Sequence, residues 1–207
     1  MLEMPVTIRV PLPEEMAHRV DIEELLARRK LAPIEEGFVY TANETQQLPF
    51  TFYAAINVNN SRLWEVFTAL SQLFPDEELS CVYGLYEEEP VTTDYFPKQQ
   101  VMAQLQKYAT ELAKDAMLEF GLLLHTKAQL VELFVTESKY IKFWGSDKAA
   151  FVQLMLDLGI PQKTKLAFID EYPKITEPLR RFVPNAQLPQ TVVYGLDRAF
   201  GVDRSAL

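Results

Sequence analysis

The stretch "GFVYTANETQQLPFTFYAAINV", residues 37–58, decides the fold. Its first six residues alternate in the way a half-buried strand requires, with Phe38, Tyr40 and Ala42 on one side. Its last ten place Phe50, Phe52, Ile56 and Val58 on one face, and the polar "NETQQL" between them has hairpin length. The period then changes. In "NNSRLWEVFTALSQLFP" (59–75), Leu63, Val66, Phe67, Leu70, Leu73 and Phe74 step by three and four, so the spacing predicts a helix. Asn60 or Ser61 suits its start and Pro75 its end. "ELSCVYGLY" (78–86) returns to a strand pattern, which completes a ββαβ order.

The same order is predicted again further on. "AQLVELFV" (128–135) and "KYIKFWG" (139–145) read as strands joined by the polar "TESK". "SDKAAFVQLMLDLGIP" (146–161) reads as a helix with Phe151, Leu154, Met155 and Leu158 on one stripe and Gly159 at its end. "KLAFIDEYP" (165–173) then reads as a strand. Each segment leaves through acidic residues and a proline: Glu87, Glu88 and Glu89 before Pro90, and Asp170 and Glu171 before Pro173. Direct identity between the two is low, so the likeness is one of architecture.

Residues 97–120, "PKQQVMAQLQKYATELAKDAMLEF", are predicted to form one helix of about 35 Å, with Val101, Leu105, Tyr108, Leu112 and Ala116 on one face. Ahead of residue 37, "VTIRVPL" (6–12) reads as a short strand. "DIEELLARRKL" (21–31) reads as a helix whose Asp21 and Glu24 have capping-box spacing. After residue 176, the three prolines of "EPLRRFVPNAQLPQ" read as an extended wrap, followed by a repeated Gly-x-Asp-Arg in "GLDRAFGVDR". The expected class is α+β: an antiparallel-rich sheet, or two, built from two ββαβ-like segments with a long helix between them. The expected division is an acidic N-terminal α+β half (1–96), a connecting helix (97–120), a C-terminal ββαβ half (121–178) and an extended segment (179–207). Two packed lobes and one continuous sheet both fit this pattern.

Net charge is −9, and it is uneven. Residues 1–96 hold 17 acidic and 6 basic side chains, a balance of −11, while residues 97–207 hold 12 and 14, a balance of +2. An acidic chain is repelled by phosphate backbones, which argues against nucleic acid as the partner and for a basic protein. The N-terminus has no basic stretch leading an apolar run, and no window approaches eighteen uncharged apolar residues. No membrane association is expected, and a cytoplasmic location is. A single cysteine, Cys81, rules out an internal disulfide.

The chemistry-bearing motifs are few. No two of the seven glycines are separated by two, so no GxGxxG loop can be written, and none precedes lysine as in a Walker A loop. The histidines, His18 and His125, form no HExxH, and with one cysteine the chain lacks the soft ligands of a structural zinc site. No cofactor or metal is expected. Glu87, Glu88 and Glu89 lack the Gly, Asn or Asp loop residues that usually accompany a hard-cation site, so they read as a solvated strand end or an acidic contact patch.

Trp64 lies beside the Leu63–Phe67 stripe, and Trp144 shares a strand face with Lys142. Exposed tryptophans near charge are common interface anchors. The expected function is a non-catalytic protein-binding module of immunity or inhibitor type that masks a basic partner. Its candidate contacts are Glu87, Glu88, Glu89, Trp64, Trp144, Asp170 and Glu171. The alternative is an enzyme or small-molecule-binding protein with an atypical site in a cleft between the halves, with His125 among its polar groups.

Overall fold

The computed structural model describes residues 2–16, 18–45 and 47–204. Seven strands form one antiparallel sheet: β2 (Gly37–Ala42), β3 (Phe52–Asn57), β4 (Glu78–Leu85), β5 (Val91–Pro97), β6 (Leu118–His125), β7 (Leu130–Val135) and β8 (Ile141–Gly145). Their spatial order is β2-β3-β8-β7-β6-β4-β5. The three later strands are therefore inserted between the two earlier hairpins, and the sheet is continuous across both predicted halves. A second sheet pairs only β1 (Ile8–Arg9) with β9 (Ile175–Thr176). The helices are α1 (Ile22–Leu31), α2 (Leu63–Ser71), α3 (Lys98–Gln106), α4 (Ala109–Lys114), α5 (Lys148–Asp157) and α6 (Pro189–Phe200). Among the described residues, no helix is long and apolar enough to cross a membrane.

The mixed α+β class and the first ββαβ unit follow the sequence pattern closely. Phe38, Phe52, Ala54 and Ile56 point to the helix side of the sheet and are buried. They are joined there by Phe143, Leu133, Leu122 and Tyr83 from strands distant in sequence. Leu63, Val66, Phe67 and Leu70 of α2 are fully buried against this face. Each such side chain contributes about 1.5–3 kcal/mol on leaving water.

The second unit departs from its prediction. Residues 165–173 are not a strand. A 3-10 turn spans Ile169–Glu171, and the Glu171 carboxylate accepts from the Phe168 backbone N–H at 2.8 Å. Before it, the Asn57 side chain donates to the Ala167 carbonyl, which occupies a group that strand pairing would need. The segment crosses one end of the sheet as a strap.

The long helix predicted over 97–120 is broken into α3, α4 and the start of β6. Tertiary hydrogen bonds end α4. Its last carbonyls each accept from a distant side chain: Leu112 from Lys139 Nζ (2.8 Å), Ala113 from Asn60 Nδ2 (2.8 Å) and Lys114 from Thr7 Oγ1 (2.6 Å). With those acceptors used, the helix has no cause to continue, and residues 118–125 pair between β4 and β7 instead.

The segment predicted as extended over 179–207 also departs, up to Arg204; residues 205–207 lie outside the described residues. It holds a 3-10 turn and then α6, whose Val192, Val193, Leu196 and Phe200 are buried against the sheet. Pro189 at its first turn and left-handed Gly201 at its end are ordinary helix boundaries. The first Gly-x-Asp-Arg is thus helical. Its Asp197 accepts from the Tyr83 hydroxyl (2.9 Å) and from Arg204 Nε of the second copy (2.9 Å). In α1, Asp21 makes no side-chain cap, because Arg19 engages its carboxylate.

Gly195 sits inside α6, where glycine costs about 1 kcal/mol relative to alanine. The reason is close approach: a Cβ there would overlap the Tyr108 hydroxyl. Gly195→Ala is expected to destabilise the protein by about 1–2 kcal/mol despite its better propensity, and to be milder in a Tyr108→Phe background. A double-mutant cycle by urea denaturation measures this; additive effects would show that the hydroxyl is not the obstacle.

Candidate functional site

All the large helices with buried stripes, α2, α3, α5 and α6, pack on one face of the seven-stranded sheet. On the opposite face the strand registers set side chains in rows. One row runs Thr41, Tyr53, Trp144, Glu132, Leu123 across β2, β3, β8, β7 and β6. The next runs Val39, Ala55, Lys142, Phe134, Gly121, Val82. A third, with Asn57, Tyr140 and Glu119, is covered by the strap. Phe168 packs on the Tyr140 ring at 4.7 Å, and the Tyr140 hydroxyl donates to Asp170 at 2.9 Å. Lys174 also bonds Glu137 there, at 2.7 Å.

An antiparallel sheet with one wet face normally carries polar residues on it. Here the two uncovered rows carry Tyr53, Trp144, Phe134 and Leu123, all half-buried by their neighbours. The Tyr53 and Trp144 rings lie 4.8 Å apart, tilted by 45°. Gly121 serves this face: a Cβ would meet both the Phe134 ring and the Leu133 carbonyl, so glycine lets Phe134 lie flat across the strand.

The two uncovered rows carry one acid, Glu132, and one base, Lys142. Burial pushes the Glu132 carboxyl above its usual range, with Lys142 drawing it back. Burial, and then Glu137, raises Glu119 in the same way. Tyr53 is raised by burial and by Asp170 at the edge of the strap. Glu119, under the strap, has Lys139, Lys142 and Lys174 near it, whereas half-desolvated Glu132 on the open rows has Lys142 alone, and an added cation would relieve it.

The sequence-predicted contacts do not form one cluster. Glu87, Glu88 and Glu89 are all exposed in the β4–β5 turn, where Glu87 has a φ of 70° and Glu88 lies 3.9 Å from Arg204. Trp64 is on the helix side, stacked with Phe67 and donating to Gln106 at 3.1 Å, so the two tryptophans lie on opposite sides of the sheet. Asp170 and Glu171 hold the strap, through Tyr140 and the Phe168 N–H respectively. Trp144 stands in the open rows. His125, at the end of β6, is exposed, and its backbone N–H and carbonyl both bond the Tyr95 hydroxyl.

Among the described residues, no side chain hydrogen-bonds the His125 imidazole and no three of His, Cys, Asp and Glu converge as metal ligands would. Cys81 is buried, and burial raises its thiol pKa, away from the reactive thiolate. Sequence reasoning missed Tyr53, Phe134, Leu123 and Glu132. Strand alternation already puts each opposite a core position, but only the β3–β8 and β6–β7 registers bring them together. No protein-family model, curated protein or solved structure matches this chain.

Proposed function

We propose that this protein is a non-catalytic protein-binding module that docks a partner on the helix-free face of its sheet. The observation that carries this reading is the open pair of rows holding Tyr53, Trp144, Phe134 and Leu123. Partly exposed aromatic side chains gathered on a sheet face are a common mark of an interface. The partner's matching surface has an apolar centre and a basic group opposite Glu132, whose carboxylate burial holds half-desolvated beside Lys142. The overall charge of −9 steers the encounter with such a partner.

The test is capture from the native host at low salt, followed by binding measurements with the purified partner. Trp144→Ala is expected to weaken binding at least thirtyfold, as a central aromatic anchor does, while the melting temperature stays close to that of the wild type. Binding is also expected to fall as salt rises. A partner that binds Trp144→Ala and wild type alike would remove the sheet face as the site. Failure to capture any partner at any salt would remove the function.

A further inference from the structure

A second surface stands apart from the sheet. Helix α1 fully buries Ile22 alone among its residues, and Val20 and Leu31 are largely exposed at its two ends. Between α1 and the N-terminal residues 2–13 lies a groove of about 560 Å³. Its wall is apolar, formed by Leu2, Met4, Ile8, Leu26 and Ile34, with Ile169 of the strap among the lining residues. Volumes of roughly 300–1,000 Å³ with such walls and a few placed polar groups are typical of small-molecule sites.

The polar side chains are all cationic: Arg9, Arg29 and Lys30 line the groove, and among the described residues no carboxylate does. They are not equivalent. Arg9 is neutralised by a two-point pair with Glu15 (2.6 and 2.7 Å) and by Glu177 at 3.5 Å. Lys30 is exposed to water at the rim. Arg29 is half-buried, and its one hydrogen bond, from Nη1 to the Pro173 carbonyl at 2.6 Å, uses one of five donors and supplies no counter-charge. Among the described residues no carboxylate pairs with it. A partly desolvated guanidinium beside an apolar groove lacks only an anion.

We propose that this groove binds a small monocarboxylate with an apolar tail, the tail lying along Leu26 and Ile34 and the carboxylate on Arg29. The apolar wall supplies affinity through burial, and Arg29 selects the acid over its neutral analogue. Neither alone suffices: a short acid lacks the buried area, and an alcohol leaves Arg29 unpaired.

Calorimetric titration of the full chain with decanoate, 1-decanol and acetate tests this. Decanoate is expected to bind saturably at one site, with decanol and acetate at least about tenfold weaker. Arg29→Met is expected to weaken decanoate about tenfold or more, and Arg29→Lys to restore part of the loss. Leu26→Trp, which fills the groove, is expected to block binding, while Trp144→Ala leaves it unchanged. Equal affinity for decanol, absence of saturable binding, or decanoate affinity unaltered in folded Arg29→Met overturns the proposal. Should Arg29→Met fail to fold, unaltered affinity in folded Leu26→Trp overturns it equally.

Discussion

Replacing Lys139 with methionine is expected to lower stability by about 2–4 kcal/mol, because two buried carbonyls lose a side-chain donor. Lys139 Nζ donates to Leu112 (2.8 Å) and Leu118 (2.6 Å), holding the end of α4 to the start of β6. The residue is 3% exposed, so water cannot replace the amine. Burial pushes its pKa down to about 7, against the pull of Asp115, Glu137 and Glu119. A neutral amine has two N–H bonds, and the site uses both.

The pH dependence follows from the direction of that shift. Between about pH 7 and the unfolded value near 10.4, the unfolded chain carries a proton on this amine that the native chain does not, so stability rises with pH. The contribution is complete above the unfolded value and is lost as pH falls through 7. Denaturant titrations at pH 7, 8 and 9 are expected to show wild-type stability climbing by up to about 1.4 kcal/mol per unit from this group. The climb should vanish in Lys139→Met. Matching slopes in the two proteins would mean that Lys139 is charged in the native state throughout.

Phe151→Ala is expected to cost about 3–5 kcal/mol, the range for a fully buried phenylalanine truncated to a cavity. The ring sits 5.4 Å from Phe38, 5.2 Å from Phe52 and 5.2 Å from Phe143, so one side chain on α5 ties together β2, β3 and β8. These strands meet at the seam between the N-terminal hairpin and the inserted C-terminal strands. A fall in the urea midpoint with an unchanged slope checks the effect, and Phe151→Leu should recover part of it. If Phe151→Ala shifts the midpoint by less than 1 kcal/mol equivalent, α5 is not what holds the seam.

What was legible in the sequence was local. The alternation of Phe38, Tyr40, Phe52 and Ile56 and the three-four stepping of Leu63 to Leu70 are properties of single segments, and each segment formed as read. Even α6 carried its signals: Pro189 at the start, Gly201 at the end, and Val192, Leu196 and Phe200 at helical spacing. The prolines of the preceding stretch obscured them. By contrast, the break of residues 97–120 depends on Thr7, Asn60 and Lys139, which come from three remote parts of the chain. Periodicity within the segment holds no trace of them.

The candidate face was half legible for the same reason. Trp144 and Lys142 share a strand face by alternation alone, and that part was readable. That Tyr53 stands beside Trp144 requires β3 to pair with β8, some ninety residues later. Trp64 looked like its equal in sequence but belongs to a helix that packs on the other side of the sheet.

The sheet order has a consequence for synthesis on the ribosome. The hairpins β2–β3 and β4–β5 emerge first, yet in the finished sheet they are separated by the width of three strands that have not yet been made. Until β6, β7 and β8 arrive, the inner edges of β3 and β4 are unpaired templates open to any other strand in the vicinity. The nascent chain must keep those two edges apart from each other and from its neighbours, and the last strands then close the sheet by filling its centre, from β4 across to β3.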